Sequence, residues 1–591
     1  MILTQLYKHS QRIQDKLPIE SYGKVKLHWL VELNLDGTLR GNGFTKLDKD
    51  DPKRTLPDLV RASGVKPKLL ADNGEYVFGL GRADSPLDKV VERHRQFKEL
   101  VQRCADVTQE VSVQAVAKFL AVWNPERDKE KLPEGFDPVQ VVTFRVGLTI
   151  PADATPETQA VQRFWANYTA GGEKEAGKHP QMQCLVTGNN GSVEERLPVK
   201  IKGVPDGQTA GTSLVSANAP PFTSYGLSNS LTSPISREAG EGFAKALNHL
   251  IATEDSRLYM DPIVYVFWTQ EPSEHDLWNC LKTDQPEEVK NLYKSALTGD
   301  RIYDQPNRFY ALALSASGGR AVVRDWIESN IPDAMQNLVR WFEAQEIVNP
   351  YGEFGEKRYL SIRKLSDSLY RDPKKEAIAR VPTLLIQSAL KSNPLPTDLL
   401  AQVVRRIRVD RSEKNYLVTH ARAALIKLIL TSQGYPMTNM QSLNRKPNLD
   451  SPEHAAYHFG RLLAQLEVIQ RKAQGEKINA TLIDRYYGAA STTPTKVMGT
   501  LLQGAQAHLT KIRKTNERTY KALQTHLEDI IDELSPEDDK FPRTLSMQQQ
   551  SIFALGYYHQ RADNRRAAID AKAKNDAKAK DAEATQTAEN D

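Results

Sequence analysis

Cysteine is nearly absent from the 591-residue chain. The three that exist, Cys104, Cys184 and Cys280, lie far apart without a CxxC pair, which excludes a disulfide framework or a thiolate zinc site and fits a reducing cytosol. No run approaches the roughly 20 apolar residues of a membrane span, and PIVYVFW (262–268) has the length of a buried strand. The opening MILTQLYKHSQRIQDKLP alternates apolar and charged residues, so a signal peptide is not expected. These absences predict a soluble, cytoplasmic protein.

Catalytic signatures are missing too. There is no GxxxxGK followed by Ser or Thr, no GxSxG elbow and no HExxH helix. Gly79-Leu80-Gly81 and Gly41-Asn42-Gly43 lack the third glycine of a dinucleotide fingerprint. His454 and His458 stand four apart on a predicted helix, a spacing that can hold a metal, but no third ligand accompanies them. Glu274-His275-Asp276 contains the HD dipeptide of metal-dependent phosphohydrolases, without a further His ladder. The expectation is a non-enzyme without metal or cofactor; a nuclease built around His275-Asp276 is the alternative.

What is present is ordinary globular material, 40% hydrophobic and 26% charged, long enough for about four domain equivalents. The predicted fold class is α+β, a large mixed N-terminal recognition domain followed by an all-α C-terminal helical bundle. KVKLHWLVELNLDGTLRGNGF (24–44) reads as two strands joined through Asp36-Gly37. LDKVVERHRQFKELVQRC (87–104) carries apolar residues at helical spacing. The runs at 139–150, 262–268 and 308–326 read as strands, the last region being two joined through Ala316-Ser317-Gly318-Gly319. Between them, GVPDGQTAGTSLVSANAPPFTSYGLSNSLTSP (203–234) is too long and aperiodic for a plain connection. It is a linker or a functional loop, and Phe222 and Tyr225 favour an ordered loop.

From about 330 the pattern turns helical, with apolar stripes at 333–345, 382–390, 399–409 and 416–430. A polar stretch at 434–452 marks a boundary, after which Ser451-Pro452 caps a helix and a further helix near 505–534 carries Leu509, Ile512, Leu523, Leu527, Ile530 and Leu534, with Asn516 between them. The predicted organisation is 1–330 mixed, 331–436 helical, 437–565 a helical bundle and 566–591 a low-complexity alanine-lysine tail, expected to be disordered or a solvated, frayed helix.

Charge is uneven. The whole chain carries only +5, yet 461–521 holds eleven basic residues against four acids, a net +7. Arg405, Arg406, Arg408 and Arg411 form a second basic cluster. Each is a solvated helix face or a phosphate track; a track would weaken binding as roughly the 0.7 to 0.9 power of salt per contact.

Particular strings narrow this further. CLVTG (184–188), IKGVPDGQTAGTSLVSANAPPFTSYG (201–226), SREAGEGFAKALNHL (236–250), NRFYALALS with RAVVRDW (307–326), and AAYHFGRLLAQL with RYYGAASTTP (455–494) together resemble the large subunit of the type I-C (Dvulg-subtype) CRISPR surveillance complex. MILTQLY and LLADNGEYVFGL (69–80) fit the same family. The resemblance implies a non-catalytic Cascade subunit that binds with crRNA and the backbone and crRNA-end subunits. It implies that the subunit reads the protospacer-adjacent motif (PAM) on double-stranded DNA, helps open the duplex into an R-loop and supports recruitment of a helicase-nuclease. It also implies a separately translated small subunit similar to the C-terminal bundle, for which Met437 and Met440 are candidate internal starts.

Under that resemblance Lys66, Lys68 and Asn73 are candidates to contact the PAM duplex, and Asn73, between the two lysines and a YVFGL strand, is the leading PAM reader; otherwise it is a turn residue with a positive backbone angle. Asn218, Ser224, Tyr225 and Asn229 are candidates to touch sugar-phosphate or wedge a base step, Tyr225 offering a stacking face. Arg405, Arg406, Arg408, Arg411, Arg461, Arg471, Lys472, Lys511, Arg513 and Lys514 are candidates for following a nucleic-acid backbone. A purely structural assembly role remains the third reading.

Overall fold

The computed structural model describes residues 2–17, 21–48, 50–59, 64–82, 85–169, 180–272, 279–282, 307–349, 359–410, 417–435, 453–475, 480–534 and 541–588, with backbone alone at 279–280, 453–454, 575–576 and 578–588. The chain forms two compact units, one of residues 1–253 with 315–322 and one of 254–314 with 323–591. Met437, Met440, Arg411, Ser451-Pro452 and His275-Asp276 lie outside the described residues, as do the side chains of His454 and Cys280.

The first unit opens with helix α1 (Ile2–Arg12); strands β1 (Tyr22–Val25) and β4 (Arg54–Pro57) pair with each other, as do β7 (Gln181–Gln183) and β8 (Asn190–Ser192). The main sheet runs in the order β3 (Leu39–Lys46), β2 (Trp29–Leu33), β6 (Val141–Val146), β5 (Ala71–Asn73), with β2 and β6 parallel and the outer pairs antiparallel. The β2–β3 turn forms where expected: Asp36 Oδ1 accepts from Thr38 N at 2.9 Å, and Gly37 takes a φ of +86° that an L side chain adopts at a cost. Leu30, Val31, Phe144, Phe97 and Phe119 are buried where the sheet meets helices α3 (Leu87–Thr108) and α4 (Val111–Val122).

The expected strand at 76–80 is instead a helical turn, α2 (Gly74–Val77). Asn73 caps it, and Phe78 behind it packs against Phe136 and Trp123. A short apolar run is compatible with strand or helix; the cap and the buried aromatics select the turn.

In the second unit the sheet order is β12 (Arg320–Asn330), β11 (Arg308–Ser317), β10 (Ile263–Thr269), β9 (Arg257–Met260). β10 is buried along nearly its whole length, as its unbroken apolar run predicts. Gly318, at φ +57°, turns β11 into β12. Eight helices matter for the site: α5 (Ile331–Gln345), α6 (Thr397–Val409), α7 (His420–Ser432), α8 (Glu453–Gln474), α9 (Leu482–Ala490), α10 (Pro494–Thr515), α11 (Glu517–Glu533) and α12 (Met547–Ala588). One apolar core runs from Tyr265 and Phe309 through Leu338 and Leu425 to Leu509, Leu527 and Phe553. Residues 565–574 of α12 are exposed, and alanine's high helix propensity continues the backbone helix to Ala588.

The helix expected over 505–534 is two. Asn516 leaves helical geometry (φ −155°, ψ 93°), and its side chain accepts from Thr519 N at 2.9 Å, capping α11. The break lets α10 and α11 fold back on each other, burying Leu509 and Ile512 with Leu523, Leu527 and Ile530. The apolar residues expected of one helix span both because each presents one apolar stripe to the same core.

Candidate nucleic-acid interface

Asn73 ends β5 with φ −75°, so the positive backbone angle considered for it does not occur. Its Oδ1 accepts from Tyr76 N at 3.4 Å, and its own N–H bonds Asp72 Oδ1 at 2.9 Å. The carbonyl half of the amide is therefore engaged in the cap, while the half-buried side chain retains its NH2 donor. Lys68 Nζ pairs with Asp58 at 2.6 Å, and its backbone N–H bonds Asp72 Oδ2 at 2.8 Å; Lys66 is exposed.

The 203–234 loop is ordered by short ties rather than regular secondary structure. Ile201 bridges Thr212, and Ser213 bridges Arg320 at the tip of the β11–β12 hairpin. Arg320 lies 4.0 Å from the centre of the Phe222 ring, and its Nη2 donates to Asn218 Oδ1 at 2.6 Å. Asn218 and Phe222 are thus braced by a residue about a hundred positions downstream, and a cation over a ring face is a favourable contact. Asn229, at φ +52°, donates from Nδ2 to Glu195 Oε1 at 2.8 Å and is half-buried, so it holds the loop to its base.

Between these braces the chain turns at Ser224–Leu227, where Leu227 N bonds Ser224 O at 2.8 Å. Tyr225 takes φ +52° and Gly226 φ +74°, the paired positive angles of a type I′ turn. Tyr225 is 99% exposed. An L residue in the left-handed region costs about 1–2 kcal/mol, and an aromatic ring there buries nothing in return. The braced tip thus presents the Tyr225 ring to solvent.

The basic candidates divide. Arg406 and Arg422 share the Asp410 carboxylate, Arg408 donates to Gln550 Oε1, and Arg461 donates to Gln560 at 2.9 Å. Arg471 grips buried Glu467 at 2.9 Å, which also accepts from Tyr557 at 2.7 Å. These four candidates, Arg406, Arg408, Arg461 and Arg471, are committed to intramolecular partners. Arg405, Lys472, Lys511, Arg513 and Lys514 are exposed, with Arg513 5.6 Å from the Tyr520 ring centre. The exposed candidates are therefore Lys511, Arg513 and Lys514 at the end of α10, Lys472 on α8 and Arg405 on α6. Sequence order carried no signal for Arg320; only the hairpin brings it to Phe222.

Among the described residues no group of three or more His, Cys, Asp or Glu side chains is arranged to hold a metal. Cys104 and Cys184 are buried free thiols, and no described helix is long and apolar enough to cross a membrane. A family model described as CRISPR-associated protein (Cas_Csd1) matches residues 3–564. The chain belongs to this CRISPR-associated family. No curated protein matches it. Membership in the Cas_Csd1 family covers both units, so the braced loop and the basic helix ends are features of a CRISPR-associated protein.

Proposed function

We propose that the chain is the non-catalytic large subunit of a type I-C CRISPR surveillance complex, reading the PAM on duplex DNA and helping to open it. The observation that carries this reading is the Tyr225 tip: an exposed aromatic, held at a positive φ and backed by the Arg320–Phe222 stack and the Asn218 bond. Aromatic wedges entering a base step unstack it and kink the duplex. Guide pairing supplies the long sequence match, leaving protein the PAM and the backbone. In this reading the partners are crRNA, the Cascade backbone and crRNA-end subunits, a separately translated small subunit and a recruited helicase-nuclease.

Asn73 has the chemistry of a minor-groove reader. With Oδ1 engaged in the α2 cap, its NH2 group is the free half, and a lone donor matches the acceptors that adenine and thymine present in the minor groove. In the assembled complex, Asn73→Ser keeps a capping oxygen and removes the amide. It is expected to weaken binding to the preferred PAM by about 1–3 kcal/mol, or about 5- to 150-fold, and to flatten the PAM preference. Equal discrimination by Asn73→Ser and wild type in a PAM-variant binding series would remove Asn73 from the reading.

The exposed basic end of α10 is expected to run along phosphates. Neutralising Lys511, Arg513 and Lys514 together lowers the salt slope of DNA binding by about 2 to 3 if each touches one phosphate. An unchanged slope assigns them to solvent.

A further inference from the structure

The loop that carries Tyr225 is closed at its base by backbone: Asn229 N bonds Ala217 O at 3.1 Å, and Ser230 N bonds Glu195 O at 2.9 Å. Above that base, the rising arm 218–223 has only local backbone bonds among the described residues, from Phe222 N to Ala219 O at 2.9 Å and from Thr223 N to Pro220 O at 3.1 Å. Asn218 and residues 220–226 are exposed, so apolar burial does little to hold the arm in place.

One side chain from outside the loop supplies the anchor. Arg320 opens β12, and its backbone is pinned on both sides, since Ser213 N bonds Gly319 O at 2.8 Å and Ala321 N bonds Ser213 O at 3.0 Å. From there the half-buried guanidinium lies 4.0 Å from the centre of the Phe222 ring and donates from Nη2 to Asn218 Oδ1 at 2.6 Å. Its two partners mark the start of the arm and a point three residues before Tyr225. A guanidinium can hold both at once, because its flat face stacks on a ring while its N–H groups donate in the plane. An ammonium is a point charge and cannot fix both in one geometry. Loop and brace belong to the same compact unit.

We propose that Arg320 is a positioning residue for duplex opening, holding the rising arm so that the Tyr225 ring is presented in one direction. This rests on the reading of Tyr225 as the wedge. The turn at Ser224–Leu227 fixes the tip against itself, and Arg320 fixes the arm below it against the body of the unit. A tip ordered beforehand gives up less freedom on entering a base step. Loss of the brace therefore acts on opening and spares the contacts made before it.

Opening beside the PAM, read by a fluorescent base analogue in the assembled complex, tests this with Arg320→Ala, Tyr225→Gly and the double variant. Arg320→Ala is expected to slow opening roughly 3- to 30-fold, the worth of one ring contact and one charged hydrogen bond. Affinity for a PAM duplex cross-linked so that it cannot open should change less than about twofold. In the Tyr225→Gly background the same substitution should cost less than about twofold, because the brace acts through the ring. Arg320→Lys should fall between Arg320→Ala and wild type. Hydrogen exchange of the free chain gives a readout without DNA: the Leu227 and Thr223 amides should exchange at least about threefold faster in Arg320→Ala. Phe222→Leu removes the ring and leaves the hairpin untouched, so slowed opening there keeps the test decisive if Arg320→Ala misfolds. Wild-type opening in Arg320→Ala beside slow Tyr225→Gly overturns the role of Arg320 and leaves the wedge standing. An undiminished Arg320→Ala effect in the Tyr225→Gly background overturns it too, since the guanidinium would then be acting on DNA directly. Wild-type opening in Tyr225→Gly removes the wedge, and this role for Arg320 with it.

Discussion

Replacing Gly556 with alanine is expected to destabilise the helical unit by about 1–3 kcal/mol, although alanine is the better helix former by about 1 kcal/mol. At the crossing of α8 and α12, a Cβ on Gly556 would stand 1.9 Å from the Tyr457 carbonyl oxygen, and one on Gly460 would stand 2.0 Å from the Phe553 carbonyl oxygen. Both obstacles are backbone, so the helices must separate rather than a side chain swing aside. That separation loosens Phe553, Leu463 and Tyr557 in the core they share. Gly504 on α10 is the control: nothing lies within 4 Å of its Cβ position, so Gly504→Ala is expected to stabilise by about 0.5–1 kcal/mol. Denaturant unfolding followed by a probe in the helical unit measures both. The Gly460→Ala/Gly556→Ala double variant should lose less than the sum, since one helix separation relieves both clashes. Wild-type stability in Gly556→Ala would mean that the helices do not cross this closely.

Tyr225 is expected to give the opposite pairing of stability and function. Tyr225→Gly removes a bulky residue from φ +52°, so the chain should be unchanged or up to about 1 kcal/mol more stable. In the assembled complex, the same change should slow opening of the duplex beside the PAM by about 5- to 150-fold, the equivalent of one lost base-aromatic stack of about 1–3 kcal/mol. Tyr225→Phe keeps the ring and should retain most of the rate. Fluorescence of a base analogue placed next to the PAM reads the opening directly. A Tyr225→Gly complex that opens DNA at the wild-type rate would sink the wedge. Because the variant is not destabilised, loss of opening could not be ascribed to misfolding.

The two experiments probe different kinds of residue. Gly556 is constrained from every side by its own protein, and its substitution reports on packing. Tyr225 touches almost nothing of its own protein, and its substitution reports on what lies outside it.

Much of the architecture was legible in the sequence because its signals are local. The 262–268 run became the buried strand β10, since only a strand covered on both faces tolerates so continuous an apolar stretch. The helix at 87–104 and those from 333 onward followed from apolar spacing, and Asp36-Gly37 from the angles its turn demands. The family strings, spread in order along the chain, pointed to the CRISPR-associated family that the match over 3–564 establishes. Local signals misled where two structures satisfy one pattern: YVFGL reads as a strand until Asn73 caps it, and 505–534 reads as one helix until Asn516 breaks it.

The tertiary structure decided what each polar residue is for. Arg405 and Arg406 are neighbours in sequence, yet 100° of helical rotation leaves one in solvent and sends the other to Asp410. Asn218 and Asn229 share one loop, but Arg320 and Glu195, both remote in sequence, engage each of them. Net charge counts arginines without regard to their partners, and the partners here come from distant segments. Composition and periodicity thus determined which segments fold as strand or helix, because backbone preference and burial are read over a few residues. Which polar side chains remain exposed was decided only when the folded chain had taken the others for itself.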